Sequence, residues 1–284
     1  MEYVTLCNGV KMPILGYGTF SIGSEETERC VLDAVQAGYR LIDTAQAYYN
    51  EEGVGNAIVK CGVPRNELFI TTKIWIENAG YEKAKASLDE SLRKLQTDYI
   101  DLVLIHQAFN DYYGTWRALE EAYKNGKVRA IGVSNFYPDR FMDLAVFSEI
   151  KPMVNQLETH IFRQRKNDKK FIEKYGAKLE AWAPFARGSH GIFENEILSK
   201  IAKNHRKTIG QVALRFLTQN GIVAIPKSAH KSRMEENFNI FDFTLSNEEM
   251  KQMEDLDLGE NVFMDHENAE DIERFFNVFG VGQK

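Results

Sequence analysis

The chain has 284 residues, 44% hydrophobic and 27% charged, with a formal net charge of −6. That composition suits a globular chain with a sizeable core, and the acidic balance argues against a nucleic-acid partner. Three cysteines without CxxC spacing, and no apolar run approaching about eighteen residues, exclude a disulfide scaffold and a membrane-spanning helix.

Residues 3–6 and 11–13 flank Asn8-Gly9, a dipeptide suited to a type I′ turn, so a β-hairpin is expected to open the chain. Residues 14–18 read as a strand. Residues 25–37 read as a helix with Ser24 as N-cap, Gly38 as C-cap and Val31, Leu32, Ala34 and Val35 along its apolar stripe. Further strands are expected at 41–43, 68–73, 100–106, 130–134, 153–157, 178–183 and 222–225. Helices are expected near 52–60, 82–95, 115–125, 138–147, 167–175 and 209–219.

Alternation of this kind over the whole length predicts a single (β/α)8 barrel domain, residues 1–284, with an N-terminal hairpin and a short C-terminal tail. A doubly wound dinucleotide fold would want GxGxxG at the first βα turn. Gly16-Tyr-Gly18-Thr-Phe-Ser21 lacks the third glycine, and no GxxxxGK[ST] loop occurs. The amino terminus has no basic region leading into an apolar core. Cys7, Cys30 and Cys61 read as reduced, buried thiols. A cytoplasmic monomer with neither membrane nor nucleic-acid partner is the expectation.

Three successive apolar runs end on polar side chains: Arg40-Leu-Ile-Asp43, Leu68-Phe-Ile-Thr-Thr-Lys73 and Tyr99-Ile-Asp-Leu-Val-Leu-Ile-His106, with Tyr48 shortly after the first. A buried parallel strand is apolar nearly throughout, so its polar tip marks the end of the sheet where α/β proteins bind ligands. An ammonium beside a phenol favours the phenolate and lowers the phenol pKa. A carboxylate keeps that ammonium charged, and a histidine N–H can orient a reacting oxygen. Asp43, Tyr48, Lys73 and His106 therefore suit delivery of a proton to an oxygen that gains negative charge. Taken singly, each has a plainer reading as a cap, a solvated lysine or a structural histidine.

Over nearly its whole length the chain resembles the aldo-keto reductase family. The resembling blocks are Met12-Pro13-Ile14-Leu15-Gly16-Tyr17-Gly18-Thr19, Ile42-Asp-Thr-Ala-Gln-Ala-Tyr-Tyr-Asn-Glu51, Thr72-Lys73-Ile74-Trp75 and Leu104-Ile-His106. Ile131-Gly-Val-Ser-Asn-Phe136, Asn155-Gln156-Leu157-Glu158, Ala181-Trp-Ala-Pro184 and Ile225-Pro-Lys-Ser228 follow in order, then Arg233 and Glu236-Asn237. The resemblance implies NADPH-dependent reduction of aldehydes and ketones, with cofactor binding first. Tyr48 would be the general acid, tuned by Lys73 and Asp43, and His106 would orient the carbonyl.

It also implies cofactor contacts. Thr19 belongs to the first block; Ser134, Asn135 and Gln156 would hold the nicotinamide carboxamide, and Trp182 would stack on the ring. Lys227, Ser228 and Arg233 would grip the 2′-phosphate, with Glu236 and Asn237 at the adenine. No metal is implied, and no HExxH or comparable ligand spacing occurs.

Phe20, Trp75, Gln107, Phe109 and Tyr112 are expected around the substrate, in a pocket shaped by loops 109–114 and 186–193 and by the tail from 259 to 284. Gln107 departs from the Trp that many relatives carry after this histidine. His160 lacks the proline that commonly follows it and reads as structural. Phe275, Phe276 and Phe279 would close over substrate or dock on the barrel. A cofactor-sensing regulatory subunit with little turnover is the alternative; hydrolytic or isomerase chemistry on Asp43 and His106 is a weaker one.

Overall fold

The computed structural model describes residues 1–282. Strands β1 (Tyr3–Thr5) and β2 (Lys11–Pro13) form an antiparallel hairpin. Its turn is not type I′, because Gly9 has φ of +86° while Asn8 stays outside the left-handed region. Asn8 is held instead by its side chain, which accepts from the Val10 N–H at 3.2 Å and donates to the Arg129 carbonyl at 2.9 Å. Val4, Leu6 and Met12 are buried.

The remaining strands are β3 (Gly16–Gly18), β4 (Leu41–Asp43), β5 (Phe69–Ile74), β6 (Leu102–Ile105), β7 (Ile131–Ser134), β8 (Val154–Glu158), β9 (Lys178–Trp182) and β10 (Val223–Ala224). They run parallel in sequence order. A parallel bridge between Leu15 and Ala224 closes the ring, with the Ala224 N–H on the Ile14 carbonyl at 3.0 Å. This is the predicted (β/α)8 barrel. Strands β6 and β10 are shorter than expected: Ile100, Asp101 and His106 lie outside the first and Ile222 and Ile225 outside the second.

Helix α1 (Ser24–Ala37) buries Cys30, Val31, Ala34 and Val35 and carries Glu25 and Glu26 in its first turn, where the dipole favours acids. Ser24 lies inside the helix; Gly23 is the N-cap, with no side-chain cap. Gly38 ends it at φ +114°, and a Cβ there would meet the Phe238 ring at 2.5 Å. Helices α2 (Glu51–Lys60), α3 (Tyr81–Leu95), α4 (Tyr112–Lys124), α5 (Pro138–Phe147) and α6 (Lys166–Lys174) follow β4 to β8 in turn. Helix α4 begins three residues before its expected start because Asp111 caps it, accepting from the Gly114 N–H at 2.7 Å.

Between β9 and β10 the single expected helix is two, α7 (Glu196–His205) and α8 (Ile209–Gln219). After β10 come α9 (Lys231–Phe238), α10 (Asn247–Glu254) and α11 (Ala269–Phe279). Of the cysteines only Cys30 is buried. Cys7 is exposed in the hairpin turn and Cys61 half-buried at the end of α2, which corrects the expectation of three buried thiols. Among the described residues no helix is long and apolar enough to cross a membrane.

The tail is fastened to the loop after β8 through polar contacts. Glu158 accepts from the Val262 N–H at 2.6 Å and the Phe263 N–H at 3.3 Å, and its Oε1 lies 3.1 Å from His160 Nε2. The other ring nitrogen of His160 accepts from the Phe162 N–H, so the neutral ring donates to Glu158. His160 is thus structural, as read. Arg165 adds bonds to Tyr137 and Asn261, both at 2.9 Å.

Candidate active site

The carboxyl ends of the strands open into a cavity of about 450 Å³. Asp43 closes β4, Tyr48 stands in the short 3-10 turn after it, Lys73 is the penultimate residue of β5, and His106 follows β6. Lys73 is fully buried. Its Nζ lies 2.5 Å from Asp43 Oδ1, 2.9 Å from the Thr44 carbonyl and 3.4 Å from the Tyr48 hydroxyl. The Tyr48 ring meets the His106 ring edge-on at 5.7 Å. The four polar tips read from the sequence therefore come together.

Burial is the largest influence on three of these groups. It works against the Lys73 charge, yet Asp43 and Tyr48 outweigh it and the lysine pKa lies above its ordinary value. Burial pushes the Tyr48 phenol upward; Lys73 pulls it down, as expected, but does not prevail. The expectation of a net lowered phenol is thus corrected: Tyr48 stays protonated at neutral pH. His106 is driven well below the usual histidine range by burial and by the Lys73 charge, so its ring is neutral. Its Nδ1 is buried without a hydrogen-bond partner among the described residues.

Behind this cluster stands a group the sequence reading missed, Glu180, at the centre of β9 and fully buried. Gln156 donates both amide hydrogens to carboxylates, to Asp43 Oδ2 at 2.9 Å and to Glu180 Oε2 at 2.9 Å. Two acids thus share one core with a single ammonium. Burial and the Asp43 charge push Glu180 up to about 8. A charge inside an otherwise apolar strand was the available signal.

Native Glu180 binds a proton that the unfolded chain, with a carboxyl near about 4.3, has released. Stability therefore declines as pH rises from that value to about 8. In Glu180→Gln that decline should flatten. Urea unfolding across this pH range checks it; an unchanged slope would remove Glu180 as its source.

Ser134, Asn135, Gln156, Trp182 and Lys227 all line the cavity. Ser134 Oγ donates to the Gln156 carbonyl, and Asn135 Nδ2 donates to the His106 carbonyl, both at 3.0 Å. Trp182 Nε1 donates to Asn135 Oδ1 at 3.0 Å, which fixes the indole. Thr19 is near but inward, its hydroxyl on the Asp43 carbonyl at 3.0 Å, while its neighbours Gly18 and Phe20 line the cavity.

Ser228, Arg233, Glu236 and Asn237 lie past the cavity edge. Ser228 Oγ is engaged with the His230 backbone and Glu236 accepts from Thr208. Arg233 is exposed on α9 and Asn237 is buried there. The segment after β9 holds Ala183, Ala186 and Arg187 at φ of 50°, 49° and 53°. Such backbone strain tends to collect at ligand clamps.

The substrate side departs further from expectation. Phe20, Trp75 and Gln107 line the cavity, joined by Arg187, Phe263, His266, Phe275 and Phe279, of which the tail supplies the last four. Phe109 stands one layer back, against His266 and Phe276. Tyr112 begins α4 and packs on Phe136 and Tyr113, away from the cavity. Loop length does not reveal which way a side chain faces. Phe275 docks on the barrel, one of the two roles foreseen for the tail: it is buried against Trp75 at 6.0 Å, and it also walls the cavity.

A parallel eight-stranded barrel with this cluster at its carboxyl end, together with the family and relatives it matches, marks the chain as an NAD(P)H-dependent oxidoreductase. The chain belongs to the aldo/keto reductase family, whose model matches residues 14–258. It is 49% identical over 264 residues to a glyoxal reductase of Bacillus subtilis, across 92% of this chain and 95% of that protein. Among solved structures it resembles MGS-M4, an aldo-keto reductase from a Medee basin deep-sea metagenome library. That match has a TM-score of 0.90 and 44% identity, covering 94% of this chain and 99% of that one. A Bombyx mori aldo-keto reductase solved with NADP matches at a TM-score of 0.89 and 34% identity, over 95% and 97% of the two chains. A regulatory subunit finds no support among these relatives.

Proposed function

We propose that this chain reduces small aldehydes and ketones with NADPH, and that Tyr48 delivers the proton. The observation that carries the reading is the Asp43–Lys73–Tyr48 chain of contacts beside a neutral His106 at the cavity floor. Bound NADPH would supply a hydride from nicotinamide C4 to the carbonyl carbon.

The residues present fit that cofactor. Ser134, Asn135 and Gln156 offer neutral donors and acceptors suited to a carboxamide, and Trp182 offers an aromatic face. Lys227 and Arg233 are exposed cations flanking the start of α9, suited to a phosphate. Ser228, Glu236, Asn237 and the Thr19 backbone complete the proposed cofactor contacts. In the proposed chemistry the neutral His106 ring carries its proton on the nitrogen that faces the cavity and donates it in a hydrogen bond to the substrate oxygen. Tyr48, protonated through the neutral range, gives up its proton as that oxygen gains charge. Lys73, kept cationic by Asp43, stabilises the phenolate left behind.

A cytoplasmic monomer built as one barrel unit remains our reading. Loss of NADPH absorbance across a panel of small aldehydes and ketones tests the proposal, and no consumption with any of them would refute it. Arg233→Ala is expected to weaken NADPH binding about tenfold more than NADH binding, because a phosphate contact by arginine is charge-assisted. Equal weakening of both would remove Arg233 from the phosphate site.

A further inference from the structure

Gln107 sits at an unusual place. Strand β6 ends at Ile105, so the alternation that would turn every second side chain outward lapses there, and His106 and Gln107 both face the cavity. Around them the substrate side is mostly aromatic, with Phe20, Trp75, Phe263, Phe275 and Phe279, and the Arg187 guanidinium lies over the Phe20 and Phe263 rings. A polar amide in such a wall is costly unless it is hydrogen-bonded.

One end of that amide is satisfied. Gln107 Oε1 lies 2.7 Å from His266 Nε2. His266 comes from the tail and packs against Phe109, nearly parallel at 6.0 Å, and Tyr137, tilted at 5.3 Å. Burial and the Arg165 charge push the His266 pKa down to about 4, so the ring is neutral at working pH, and the amide oxygen beside Nε2 puts its single proton there. In this pairing the imidazole donates and the amide oxygen accepts. The Gln107 carbonyl points to the tail, and its NH2 group, with no partner among the described residues, is left accessible on the cavity side.

We infer that Gln107, oriented by His266, is a specificity-determining residue that donates a hydrogen bond to a second oxygen on the substrate. The preferred substrates are then small carbonyl compounds bearing a neighbouring oxo or hydroxyl oxygen. This rests on the carbonyl-reductase reading above. The amide adjoins His106, so an acceptor next to the reacting carbonyl falls within its range while the apolar walls enclose the carbon skeleton. A simple aldehyde of the same length would leave the NH2 group desolvated and unpaired. Sites built to pair a substrate's polar group discriminate against analogues that lack it.

Methylglyoxal and propanal form a matched pair, identical in carbon number and differing by one oxo group. In Gln107→Leu the ratio of kcat/KM for methylglyoxal to that for propanal should fall about tenfold from the parent value, the size expected for one buried neutral hydrogen bond. Hydration of the dicarbonyl cancels, because parent and variant meet the same solution. His266→Phe keeps the aromatic packing but frees the amide to rotate, and should lower the ratio in the same direction by a smaller factor. A ratio unchanged in Gln107→Leu overturns the inference. A ratio that falls there but not in His266→Phe overturns the orienting role of His266. If the parent consumes no NADPH with either substrate, it is the carbonyl-reductase reading that fails.

Discussion

Tyr48→Phe should reduce aldehyde turnover by at least about 100-fold while leaving NADPH binding nearly intact. Removing a positioned general acid commonly costs a factor of about 10² to 10⁴. The case for the upper part of that range is the absence of a substitute. His106 is neutral, held so by burial and the Lys73 charge, and its ring is suited to orient an oxygen rather than to act as a cationic acid. Lys73 Nζ is already bound to Asp43 and the Thr44 carbonyl. The lost hydroxyl lies 3.4 Å from that ammonium, and the ring that carries it, packed on Phe20 at 5.1 Å, is retained in phenylalanine. Cofactor titration by fluorescence and initial rates from NADPH absorbance separate the two effects. Turnover at the parental rate would refute the proton-donor role.

Lys73→Met should cost both turnover and stability. The lysine is completely buried, and breaking such a pair strands the partner charge, a loss of about 3–5 kcal/mol. Here the stranded partner is Asp43, left with the Gln156 amide that it shares with Glu180. The sign with pH follows. Two carboxyls without a cation are least costly when protonated, so the deficit relative to the parent should widen as pH rises and narrow in acid. Urea unfolding at several pH values measures it. A deficit independent of pH would mean that the loss comes from packing alone.

Much of the site was legible because strand tips are conspicuous. Asp43, Lys73 and His106 each interrupt an apolar run, and the barrel fixes where those interruptions meet. Glu180 was not legible in the same way, since it lies inside its strand between Leu179 and Ala181, and only the closed ring carries it toward Asp43 and Gln156. The C-terminal helices were under-read for a different reason. Ser246 and Glu249 do form a capping box at the start of α10, a signal present in the chain but not used. Helix α11 has Asn268 as its cap and Ile272, Phe275, Phe276 and Phe279 at the i, i+3, i+4, i+7 spacing of an apolar face, so its signal too was present in the chain but not used. Phe109 and Gln107 are near neighbours in sequence, yet one stands behind the wall and the other in it, a distinction set by tertiary packing.

The anchoring of residues 262 and 263 on Glu158 has an evolutionary corollary. The Glu158 carboxylate at the end of β8, with Arg165 on Asn261, moors the start of the closing segment, while Asp43, Tyr48, Lys73 and His106 sit on or after other strands. Lineages can therefore rewrite the segment beyond the mooring, and with it the clientele of the enzyme, without disturbing the chemistry beneath.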